Sequence, residues 1–378
     1  MPEARWTKVE QNTAVQEMQE PVTNLVEKTN WLLYKRGLVT HESVMRTQDN
    51  PDGIQRPLFL RARRAKILEE IHHLPAESRD QKQALIDRAN ALDEIAKQYL
   101  NQSELNITLE GLGTQSGKSI QIDPPHSLVA PEDRSKPPIF VIPGIAGDIE
   151  TVGNFITEIA LSGRKVITVG YPDSFNGLAT QEFVDAVIAD KGFGPHAAFF
   201  RAAADYFVGD SSEQELWGYS TGGPILAEIL SDPEYQKNVE HAVFVNPTSV
   251  VDQSEASLKM GFIGDIGFVK EKGTLPNFSF TAGLKDETTD RNDKGTRKKS
   301  FNAQVERIAQ QSAAWETANV KEGGTMTMVS CGKDRVTKTS EARDAFSNMK
   351  LVEIPDGYHA TANVQPEKII PQIFAARK

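Results

Sequence analysis

Gly218-Tyr219-Ser220-Thr221-Gly222-Gly223 carries the clearest chemical signal in the sequence. It fits the pattern G-x-S-x-G, in which a serine sits on a sharp turn between a strand and a helix. The context suits it: Leu216 and Trp217 precede it as strand residues, and Ile225, Leu226, Ile229 and Leu230 follow at helical spacing. Glycines at 218 and 222 let neighbouring backbone pass close to the turn. The helix that starts there points free N–H groups and a positive dipole end at the serine, which favours developing negative charge. A serine alcohol alone is a weak nucleophile and needs a base within hydrogen-bond reach. Two histidines follow Ser220 in the chain, His241 and His359.

These side chains need a frame. From residue 104 onward, Leu105, Ile107 and Leu109 alternate with polar residues as in a strand, and Ile120 and Ile122 form a second short strand. Residues 138–143 are a continuous apolar run, the signature of a strand buried on both faces. Comparable runs occur at 165–169, 215–217, 242–245, 326–329 and 351–354, mostly separated by helical stretches. Alternating strands and helices predict an α/β fold, a mostly parallel sheet with helices on both faces. Residues 1 to about 103 read instead as helical. Leu85, Ala89, Leu92, Ala96 and Tyr99 mark one face of a helix that Ser78 or Asp80 could cap. Leu60, Arg64, Ile67, Leu68 and Ile71 suggest a helix before it, and Val22 to Lys35 a third. This region is either a layer packed on the main domain or a module for a protein partner or for gating.

At this point the sequence resembles the α/β-hydrolase superfamily, over about residues 104–378. The resemblance implies an order of serine, acid and histidine. His359, in Pro355-Asp356-Gly357-Tyr358-His359-Ala360, resembles the family's histidine loop after the last strand, whereas His241 precedes a strand at its far end. Asp334, in Cys331-Gly332-Lys333-Asp334, resembles the usual acid after the penultimate strand. Asp252 is the alternative acid position, and Asp356 is a turn former. Pro143-Gly144-Ile145-Ala146-Gly147 looks like the first oxyanion loop, so the resemblance implies the main-chain N–H groups of Ile145 and Thr221 as oxyanion donors. Gly144, Tyr219 and Phe262 are expected at the substrate pocket. A lid insertion is expected over about 249–318, with the glycine-broken apolar run 260–269 and the helical stretch Asn302 to Trp315 as its parts. His196 to Phe207, with Phe199 and Phe200, is a second candidate for the pocket wall.

Composition narrows the alternatives. The 378 residues carry a formal net charge of −10, which argues against nucleic acid or an anionic membrane as partner. One cysteine, Cys331, excludes an internal disulfide and reads as a packing residue. No stretch approaches the ~18 apolar residues of a spanning helix, and the first residues do not resemble an export signal, so a cytoplasmic location is expected. Residues 113–119, Gly-Thr-Gln-Ser-Gly-Lys-Ser, echo a phosphate-binding loop, but the glycine that the motif requires is Leu112, and a strand rather than a helix follows, so the segment reads as a hairpin turn. The adjacent pair His72-His73 points to different helix faces. Neither a metal nor an organic cofactor is expected. The charged segment 281–300 reads as a solvated, mobile loop. The functional expectation is a serine hydrolase for a carboxylic ester or thioester, a small acyl substrate. Acyl transfer, peptide hydrolysis and a non-catalytic ligand-binding or interaction protein on the same fold are the alternatives.

Overall fold

A computed structural model describes residues 6–12, 58–75, 77–128, 136–145, 149–174, 177–190, 193–209, 213–254, 256–258, 260–261, 294–337, 346 and 348–377. Among the described residues, nine strands form one sheet: β1 (Trp6–Asn12), β2 (Ser103–Leu109), β3 (Gly113–Ile122), β4 (Ile139–Ile142), β5 (Val166–Val169), β6 (Gln214–Tyr219), β7 (Val239–Val245), β8 (Thr325–Cys331) and β9 (Lys350–Ile354). Their order across the sheet is β1-β2-β3-β5-β4-β6-β7-β8-β9. The β1/β2, β2/β3 and β3/β5 pairs are antiparallel, and the pairs from β5 to β9 are parallel.

The apolar runs are explained by burial on both faces. Along β4, Phe140 and Ile142 enter one core while Ile139 and Val141 enter the other. Ala242 and Phe244 of β7 likewise share one core with Phe199, Phe200 and Trp315, and Val243 and Val245 share the other with Phe155 and Trp217. A period of two with both sides apolar leaves no polar alternation to read.

The helices Leu58–His73 and Arg79–Gln98 cover one face of the sheet. Leu60, Ile67, Ala89, Leu92, Ile95, Ala96 and Tyr99 join the same core as Ile139 and Trp217. Two polar ties reinforce the contact with the helix Gly153–Leu161: the Tyr99 hydroxyl donates to the Gly153 carbonyl at 3.0 Å, and Arg63 and Arg88 both bind the buried Glu158. Ser78 is at the start of the second helix, but its side chain makes no capping bond. The expected helix at 22–35 lies outside the described residues.

Three segments differ from the sequence reading. Trp6–Asn12, expected in a helical region, is a strand on the sheet edge, paired with β2. Residues 113–119 are the body of β3 rather than its turn, and the turn falls at 110–112. Lys294–Ser300, read as part of a mobile loop, opens the helix Lys294–Ile308, whose charged face is solvated at Lys298 and Lys299. Residues 281–293 lie outside the description.

That helix is docked by a fully buried polar cluster. Asp173, just beyond β5, accepts from the His196 ring at 3.1 Å, from the Gln304 amide at 3.0 Å and from the Ser300 hydroxyl. Buried charge is tolerated where several donors satisfy it, and removing one partner leaves the others uncompensated. Asp173→Ala is therefore expected to lower the unfolding free energy by about 3 kcal/mol. Urea denaturation measures it, and a loss under about 0.5 kcal/mol would contradict this reading of the cluster.

Candidate active site

The turn after β6 is forced by close backbone contacts. A Cβ on Gly218 would stand 2.3 Å from the Gly222 carbonyl oxygen, and one on Gly222 would stand 2.3 Å from that of Ile142. Ser220 has φ of 54°, a left-handed conformation that costs a non-glycine residue about 1–3 kcal/mol and that clusters at functional sites. The strain is held by bonds on both sides: the Ser220 N–H donates to the Val245 carbonyl at 2.9 Å, and its own carbonyl accepts from Gly223 at 2.9 Å and from Thr248 at 3.2 Å. The helix Gly222–Ile229 begins immediately after.

From that turn the Ser220 hydroxyl meets His359. The Ser220 Oγ to His359 Nε2 distance is 2.8 Å, and His359 Nδ1 is 2.9 Å from Asp334 Oδ2. A carboxylate only accepts, so the ring proton belongs on Nδ1, which leaves Nε2 free to accept from the serine. All three residues are buried. Burial pushes the Asp334 carboxyl up. The His359 charge, bonds from the ring and from the Thr337 hydroxyl, and main-chain donation outweigh that and hold it below its ordinary value. Asp334 Oδ1 also accepts from Val336 N–H at 2.7 Å and from Thr337 N–H at 3.1 Å, which aims Oδ2 at the ring.

The loops that carry Asp334 and His359 are joined to each other. Gly332 N–H donates to the Ile354 carbonyl at 2.9 Å, and Lys333 N–H to that of Gly357 at 2.8 Å. Cys331 is buried against Gly357, as a packing residue. Beyond His359 the chain forms short helical pieces, among them a turn at Pro366–Lys368 and the helix Ile370–Ala376.

The remaining candidates fall elsewhere. Asp252 accepts from Gln311 N–H at 2.8 Å and holds that main chain rather than an imidazole. Asp356 is exposed and pairs with Lys333 at 3.2 Å. His241 bonds Thr325 at 2.8 Å, near the start of β7, at the opposite end of the sheet. Gly144 follows β4 and lies against Ser220: a Cβ there would be 3.6 Å from Ser220 Oγ. Ile145, in the same loop, is half-buried, and Thr221 is buried at the start of its helix, where first-turn N–H groups lack intrahelical partners. Tyr219 turns into the core. Its ring stacks on His359 with centroids 5.8 Å apart, and its hydroxyl donates to the His359 carbonyl at 3.2 Å. Phe199 and Phe200 are fully buried core residues rather than pocket wall, and His196 serves Asp173. Phe262 lies outside the described residues, as does most of the run 260–269.

Two groups of residues were not anticipated from the sequence. One is the Asp173 cluster. The other is Asn246 with the Tyr219 hydroxyl, both of which bond the His359 main chain. An asparagine placed directly after the buried run of β7 was the available signal, since asparagine tolerates left-handed backbone. Among the described residues, no group of three or more metal-type side chains converges, and no helix is long and apolar enough to cross a membrane.

Because the Asp334 pKa is depressed on folding, its contribution to stability is present above the unfolded value near 3.8 and is lost as pH falls through the lower folded value. Asp334→Asn should therefore show a shallower loss of stability than wild type as pH drops from about 6 to about 3. Urea midpoints across that range check it; parallel curves would contradict it.

No protein-family model and no characterised relative matches the sequence. Solved structures similar in shape include a protein from a study of carboxylesterases of the thaumarchaeon Nitrososphaera gargenis, at 16% identity and TM-score 0.44, covering 69% of this chain and 94% of the other. A probable hydrolytic enzyme of Pseudomonas aeruginosa PAO1 aligns at 18% identity and TM-score 0.47, over 73% of this chain and 94% of its own. An alpha/beta hydrolase fold protein from Nakamurella multipartita aligns at 16% and 0.45, over 69% and 94%. With an antiparallel start, a parallel run β5-β4-β6-β7-β8-β9 and a strained serine between β6 and its following helix, the chain has the α/β-hydrolase fold.

Proposed function

We propose that this protein is a serine hydrolase that cleaves a carboxylic ester or thioester through an acyl-enzyme on Ser220. The observation that carries the reading is the continuous row from Ser220 through His359 to Asp334, at 2.8 and 2.9 Å. His359 Nε2 takes the serine proton as Oγ attacks the acyl carbon. It then returns that proton to the leaving alcohol or thiol. In the second half, the same nitrogen takes a proton from water, and the acid product leaves with Ser220 restored. Asp334 keeps the ring in the tautomer that exposes Nε2 and offsets the imidazolium charge.

The carbonyl oxygen becomes negative in the tetrahedral intermediate. The main-chain N–H groups of Ile145 and Thr221 are the proposed donors, each worth about 3 kcal/mol in the transition state. Gly144 keeps the first of these loops against Ser220 because a side chain there would press on the serine Cβ at 3.2 Å. The strain at Ser220 further supports an enzyme over a binding protein. A scaffold gains nothing from holding a serine in that conformation, whereas a nucleophile gains exposure of its hydroxyl toward a bound carbonyl.

A fluorophosphonate probe tests the proposal. Wild type should become covalently labelled and Ser220→Ala should not, while Asp334→Asn should react more slowly by on the order of a thousandfold or more. Folded wild type that resists labelling would overturn the reading. Turnover of p-nitrophenyl and coenzyme A esters of graded chain length then separates ester from thioester preference.

A further inference from the structure

Asn246 takes no part in the acyl chemistry above, yet it is bonded to the main chain that presents the base. Its side-chain amide donates to the His359 carbonyl at 3.0 Å and to the Tyr358 carbonyl at 3.4 Å. Its own N–H donates to the Val329 carbonyl of β8, the strand that leads to Asp334, at 3.0 Å. Its neighbours hold the nucleophile: Val245 accepts from Ser220 N–H, and Thr248 N–H donates to the Ser220 carbonyl. The four-residue corner 245–248 thus grips the nucleophile's backbone and the base's backbone together.

Two features argue that this corner is not simply packing. Asn246 is fully buried with φ of 45°, left-handed backbone in a residue other than glycine. Its side-chain oxygen is buried with no hydrogen-bond partner. A buried acceptor left unsatisfied opposes folding, as does the backbone conformation. What the residue supplies in return is a donor aimed at the Tyr358 carbonyl and, more closely, at that of His359. Tyr219 aims a second donor at the same atom.

We infer that Asn246 is a positioning residue: by fixing the His359 main chain against the Ser220 turn, it sets the separation across which the proton moves. This rests on the reading of Ser220 and His359 as nucleophile and base. Small displacements of such pairs are costly, because proton transfer and attack both need near-contact geometry.

The test uses the full chain and a p-nitrophenyl ester. Asn246→Gly accepts the left-handed backbone and removes the amide, and Asn246→Asp keeps the shape but presents an acceptor to the carbonyl. Both should lower kcat by on the order of ten- to a hundredfold with KM little changed. Tyr219→Phe, which keeps the ring, should give a smaller fall of the same kind. Urea midpoints identify which variants are folded; if both Asn246 variants fail to fold, Tyr219→Phe carries the test. Folded variants with wild-type kcat, or with raised KM alone, would overturn the inference while Ser220-dependent turnover stood. Folded wild type without Ser220-dependent turnover would overturn both this inference and the hydrolase reading.

Discussion

One hydrogen bond organises this molecule, that between the Ser220 hydroxyl and His359 Nε2, which brings together residues 139 positions apart in the chain. Neither side chain reaches the other without a frame. The serine is lifted by a turn that only glycines at 218 and 222 permit, because backbone carbonyls occupy the space of their side chains. The histidine arrives on a loop bonded to the loop that carries Asp334. The parallel part of the sheet brings the ends of β6, β7, β8 and β9 side by side, where ligand sites of such sheets lie.

The same logic governs the buried charges. Asp334, Asp173 and Glu215 are each removed from water, and each is met by several donors. Burial alone would push these carboxyls up; their partners hold all three below the ordinary value. Glu215 is bound by Arg164 at 2.8 Å and by Arg377, which ties the helix Ile370–Ala376 region to β6, the strand that leads to Ser220. Asp173 ties the helix Lys294–Ile308 to the end of β5. Charge pairs here join elements distant in sequence, while the two apolar cores fill the space between them.

Much of this was legible in the sequence, for definite reasons. The serine turn declares itself because its steric demand falls on two residue types at fixed spacing. The buried strands declare themselves because two-sided burial excludes polar residues. The edge strand Trp6–Asn12 did not, since its sequence is mostly polar and its partner β2 lies far along the chain. The helix Lys294–Ile308 was hidden by its charges: its buried residues are few, and two of them, Ser300 and Gln304, are polar. The Asp173 cluster draws one residue each from β5's end and the helix Gly194–Val208 and two from the helix Lys294–Ile308, a combination no local spacing reveals. Tyr219, expected at the pocket, also stacks its ring on His359 and bonds its main chain, a contact across 140 positions that local spacing does not show.

The claim that most needs testing is that the serine proton passes to His359. The rate of Ser220 phosphonylation, measured as a function of pH, tests it most directly. If His359 is the base, the rate rises with pH through a single ionisation, as imidazolium gives way to the neutral ring, and that step disappears with the bulk of the rate in His359→Ala. A folded His359→Ala protein that keeps the wild-type rate and pH profile would contradict the account.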